Sequence, residues 1–77
     1  MLWYYKKISE DDNSVLYAYG WKPDEITGQL KYSKSNDEYS VVKIADGDTQ
    51  KGAEWALTHL VDVKNEGFPE KTKVLIG

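Results

Sequence analysis

Residues 26–34 alternate cleanly, with Ile26, Gly28, Leu30 and Tyr32 on one side and Thr27, Gln29, Lys31 and Ser33 on the other. A period of two is the mark of a strand that buries one face. Residues 2–9, 15–22, 39–45 and 71–76 are rich in aromatic and β-branched side chains and also read as strands. Polar runs at 10–14, 22–25 and 35–38 separate the first four. Pro23 cannot donate to a ladder and Asp24 favours a turn, so these runs join successive strands as antiparallel hairpins.

A different period begins after residue 45. Ala53, Ala56, Leu57, Leu60, Val61 and the stem of Lys64 fall at helical spacing and form one apolar stripe on a helix of about 15–18 residues. Asp48 or Thr49 can accept hydrogen bonds from the first free amides. At the far end, Asn65-Glu66-Gly67-Phe68-Pro69 supplies a left-handed glycine, an apolar residue behind it, and a proline that bars continuation.

The element order β-β-β-β-α-β implies an α+β domain, a single unit over residues 1–77, with a five-stranded, mainly antiparallel sheet and one helix on one face. If strands 1 to 4 form a meander, the helix carries the chain back and strand 5 pairs beside strand 1, in the order 5-1-2-3-4. That crossing is roughly 19 Å, and a helix of about 17 residues is roughly 26 Å long, so a diagonal helix reaches. The alternative places strand 5 parallel beside strand 4.

One helix leaves one sheet face bare. The polar side of strand 3 turns Ile26, Leu30 and Tyr32 toward the helix. An alanine-rich helix packs closely on small residues, which assigns Leu16, Ala18 and Gly20 to the covered face, with Val42 and Ile44 from strand 4 and Val74 and Ile76 or Leu75 from strand 5. Tyr17, Tyr19 and Trp21 then line the open face with Lys31, Tyr39, Val41 and Lys43. Strand 1 adds either Trp3, Tyr5 and Lys7 or Tyr4 and Lys6. Aromatic, hydrogen-bonding surface of this kind is enriched at interface hot spots. The opposite allocation, with the strand 2 aromatics as core beneath the helix, competes with it.

Ten lysines against thirteen carboxylates leave a net charge of −3, and there is no arginine. An acidic total repels polyphosphate, and the missing guanidinium removes the best grip on phosphates, so nucleic acid is not the expected partner. The lysines nevertheless concentrate in the strands and the acids in connections and helix. Turn preference of Asp and edge protection by Lys explain much of that, and a locally basic sheet surface is the other explanation. The chain has no cysteine, which excludes thiolate metal sites and thiol nucleophiles. No apolar run is long enough to span a bilayer, and residues 1–7 lack a secretory pattern, so the expected setting is cytoplasmic and away from membranes.

Catalytic chemistry finds little support. His59, the one histidine, stands near Asp62 on the helix, but no serine or threonine nucleophile sits in a recognisable setting. Asp46-Gly47-Asp48 opens like a calcium loop, yet the sixth position is Lys51 and the twelfth Leu57. No phosphate-cradling motif occurs. Trp55, off the apolar stripe, either buries near Phe68 or extends a contact surface with His59 and Asp62. The expectation is a non-catalytic interaction protein without cofactor or metal. It would bind a partner protein, or itself as a homodimer, through the open face or a sheet edge, with Tyr17, Tyr19, Trp21, Tyr39, Lys31 and Lys43 as binding residues. The rival is a binder of single-stranded nucleic acid or carbohydrate using the same aromatic face, with Lys7 joining the cationic rim.

Overall fold

The computed structural model describes residues 2–75. Ile76, a sequence candidate for the last strand, lies outside the described residues. The elements are β1 (Leu2–Glu10), β2 (Ser14–Gly20), β3 (Gly28–Ser33), β4 (Glu38–Lys43), α1 (Gln50–Thr58), α2 (Leu60–Asn65) and β5 (Lys71–Leu75). Every strand pair is antiparallel, and the sheet order β4-β3-β2-β1-β5 is the expected 5-1-2-3-4 read from the other edge.

The helical layer is one run with a seam at His59. That residue keeps right-handed geometry (φ −81°, ψ −3°), and the Asp62 N–H reaches back only three residues to its carbonyl, at 3.0 Å. Thr49 Oγ1 caps the start by accepting from the Gly52 N–H at 3.2 Å. The end closes with Phe68 N–H donating to the Val63 carbonyl and Gly67 N–H to the Lys64 carbonyl, while Gly67 holds φ at 86°. Ala53, Ala56, Leu60 and Val63 are fully buried. Val61, expected inside, is 41% exposed because it lies roughly 120° around the helix from the centre of that stripe. Val63 takes its place.

The helix covers the aromatic side of β2, which corrects the face assigned above. Tyr17 and Tyr19 are wholly buried, together with Trp3 and Tyr5 of β1. Register dictates this outcome. Tyr17 stands opposite Leu30, Val15 opposite Tyr32, and Tyr19 opposite Gly28, and directly opposed residues share a face. Leu30 and Tyr32 point inward as expected, so the odd-numbered residues of β2 must follow. Small residues on the helix leave room for large rings on the sheet, and facing layers interdigitate when large meets small.

Strand β4 is corrected in the same way. Tyr39 pairs with Tyr32 and Val41 with Leu30 on the covered side, whereas Val42 is extra residue at a register shift and 53% exposed. Ile44 does pack against the core, as expected. Ile26 precedes β3 and lines a groove on the open side instead. Trp55 is 54% exposed, and Phe68 packs on the rings of Tyr17 (6.2 Å between centroids) and Tyr32 (5.5 Å).

Buried phenols need partners, and here the helical layer provides them. Tyr5 donates to the Ala56 carbonyl at 2.7 Å, Tyr17 to the Pro69 carbonyl, and Tyr19 to Asp48 Oδ2 at 3.0 Å. Tyr19 also accepts from the Ala45 N–H at 3.1 Å. Its ring lies across Gly28, where any side chain would overlap it. Burial raises the pKa of all three phenols, that of Tyr19 from 10.0 to about 12.

Two outcomes test this arrangement. Tyr5→Ala should lose about 3–5 kcal/mol in urea unfolding, whereas Tyr4→Ala, on the other face, should lose distinctly less. Comparable losses would contradict the face assignment. A phenol held protonated by the fold stabilises it fully below pH 10 and ceases to do so as pH rises through the folded value. Alkaline titration should therefore show Tyr5, Tyr17 and Tyr19 ionising together with loss of circular dichroism.

A candidate docking face

Once the odd-numbered residues of β2 point inward, the open face is set by pairing. Lys6 stands opposite Ala18 and Lys71, Tyr4 opposite Gly20 and Lys73, Leu16 opposite Lys31, and Lys43 opposite Gln29. Lys6, Lys31, Lys43, Lys71 and Lys73 are all exposed. Leu16, Ala18 and Gly20 floor the surface between them, with the polar Gln29 and Ser40 toward β4 and Tyr4 half-buried on β1. Of the strand carboxylates, Glu38 shares this face, at the start of β4 and opposite Ser33.

Lys7, the remaining strand lysine, and Lys22, Lys34 and Lys64 outside the strands are neutralised. Lys7 and Lys34 converge on Glu10 at 2.6 and 2.8 Å, and their hydrogen bonds, Lys34 first, hold its carboxyl down from 4.5 to about 2. Lys64 bonds Asp37 at 3.0 Å and lies 4.9 Å from the Tyr32 ring centre. The Tyr32 hydroxyl and Lys64 together lower the Asp37 pKa. Lys22 lies 3.6 Å from Glu25. Among the described residues, none of the five open-face lysines joins an ion pair. Lys6 and Lys71 even face each other directly, a like-charge pairing that destabilises a sheet.

A groove of about 460 Å³ opens beside Tyr4, between Lys6 and Lys71 on one side and the loop Pro23, Asp24 and Ile26 on the other. This loop folds back over the sheet so closely that a side chain at Gly20 would strike the Glu25 carbonyl. Asp24 is the one carboxylate in the lining. A second hollow, about 390 Å³, lies toward β5 against Tyr4, Lys71, Thr72 and Lys73.

Of the residues singled out from sequence, the structure brings Lys31 and Lys43 to this face. Tyr17 and Tyr19 are core. Tyr39 is half-buried against Tyr32, 4.8 Å between ring centres, on the helix side. Trp21 lies at the helix-side rim, 36% exposed and 5.7 Å from the Trp3 ring. Lys7 is bound to Glu10 and leaves the rim. Tyr4 and Lys6, one of the two alternatives for strand 1, lie on this face, whereas Lys71 and Lys73 were missed. Their signal was parity, because a lysine cannot sit under a helix without a partner, but β2 carries no charge to relay that parity between its neighbours.

His59 Nδ1 lies 3.2 Å from Asp62 Oδ2 on the outer helix surface, and the described residues hold no cluster of His, Cys, Asp and Glu fit for a metal. No described helix is long and apolar enough to cross a membrane. No protein-family model, no curated protein and no solved structure matches this chain.

Lys71→Glu should relieve the opposition to Lys6 and raise unfolding stability by about 0.5 kcal/mol. Lys43→Glu, opposite neutral Gln29, should raise it less. Equal shifts in the two urea midpoints would show that no repulsion is stored there.

Proposed function

We propose that this protein is a non-catalytic interaction module that docks an acidic surface of a partner protein on its open sheet face. The observation that carries the reading is the arrangement on one sheet face of five lysines without carboxylate partners among the described residues, including two placed directly opposite each other at a cost to the fold. A carboxylate-rich partner would relieve that repulsion on contact. Tyr4, half-buried between two hollows, is the aromatic anchor such an interface uses at its centre.

The same charge could attract a nucleic-acid backbone. Two features favour protein. The chain has no arginine to fork onto phosphate, and the β2 rings that would have stacked bases or sugars lie in the core. The acidic residues of turns and helix keep the total negative, so attraction is confined to this one face.

Immobilised poly-L-glutamate should retain the protein at low salt and release it as ionic strength rises. Lys6→Glu/Lys31→Glu should abolish retention while remaining folded by circular dichroism. Tighter retention on a single-stranded oligonucleotide than on polyglutamate would replace this reading with the nucleic-acid one, and retention unchanged in the double variant would end both.

A further inference from the structure

Polar and charged side chains on the open face set what is attracted, while the backbone at the margin of the sheet sets how it can attach. Among the described residues, two strands have an unpaired long side, β4 and β5. They are not equivalent. β4 is interrupted by the register shift that leaves Val42 over, and it places Glu38 on the open face, which discourages an acidic segment there. β5 is regular, pairing with β1 without a break from Leu2 opposite Leu75 to Lys6 opposite Lys71.

The two sides of β5 also differ in charge. Lys71 and Lys73 project onto the open face, beside the hollow at Tyr4. The alternate residues face the helical layer, where Thr72 Oγ1 donates to Glu66 Oε1 at 3.0 Å and Val74 packs against the core. A segment paired along this edge therefore meets two lysines with one set of its alternate side chains, and a carboxylate and an apolar flank with the other. Acids at i and i+2 are attracted, and acids at i+1 meet Glu66. Because a strand's side chains alternate between faces, this edge selects a phase as well as a charge.

We infer that the partner's acidic segment binds as an extended sixth strand along the outer edge of β5, with carboxylates at alternate positions opposite Lys71 and Lys73 and β-branched residues between them. The inference rests on the acidic-partner reading above and adds the mode of attachment. Backbone hydrogen bonds supply attachment, and the alternating side chains supply selectivity.

The test uses the full chain and a dye-labelled peptide of alternating valine and glutamate, compared with the same peptide carrying proline in place of its central valine. Charge is identical, but the proline removes a ladder donor and breaks the strand. The alternating peptide should bind, and the proline peptide should bind roughly tenfold more weakly or worse. Binding should slow hydrogen exchange of outward-facing β5 amides, and Lys71→Glu/Lys73→Glu should abolish it with the fold retained. Equal affinity for the two peptides, or retention on polyglutamate with no peptide binding, overturns strand addition while leaving the cationic docking face intact. Failure of the unaltered chain to bind either polyglutamate or the peptide overturns the two together.

Discussion

Three phenol hydroxyls join the sheet to the helical layer. Tyr5 reaches the Ala56 carbonyl, Tyr17 the Pro69 carbonyl beyond the helix end, and Tyr19 the Asp48 carboxylate before the helix start. Each bond contributes only about 1 kcal/mol net, but a buried phenol without its partner costs more than that, so the layers align where all three are satisfied. The rings continue as a packed row, Tyr5 against Tyr17, then Phe68, Tyr32 and Tyr39. With Trp3 and Tyr19, these rings form the sheet side of the core, and Ala53, Ala56, Leu60 and Val63 close it from the helix.

Committing the rings inward decides the character of the other face. With aromatics on the odd positions of β2, the outward positions are Leu16, Ala18 and Gly20, which are too small to dominate a surface. The lysines of the flanking strands therefore define it. Acids gather on the opposite side and in the turns, where Glu10 and Asp37 neutralise the lysines within reach. The molecule is thus acidic in total and basic on one face.

Protection of edges against aggregation accounts for lysines on β5 and at the end of β4. It does not account for Lys6 on β1 or Lys31 on β3, which are interior strands. It accounts even less for opposing Lys6 to Lys71, since the repulsion weakens the sheet that both belong to. Local violations of a stabilising rule are expected where a surface serves something other than folding.

The order of elements, the sheet order, a cap at Asp48 or Thr49 and the Gly67 exit were legible in the residues, because each depends on local period, turn chemistry or the reach of a helix. The inward side of β3 was legible too, since Leu30 and Tyr32 alternate with Gln29, Lys31 and Ser33. Strand β2 was not. Ser14–Gly20 has large residues on one side, small on the other and no charge on either, so both orientations satisfy its own pattern. Only pairing with β3 selects between them, and a shift of one residue reverses every side chain. That register belongs to the packed sheet, and with it goes the choice between an aromatic outer surface and a lysine one.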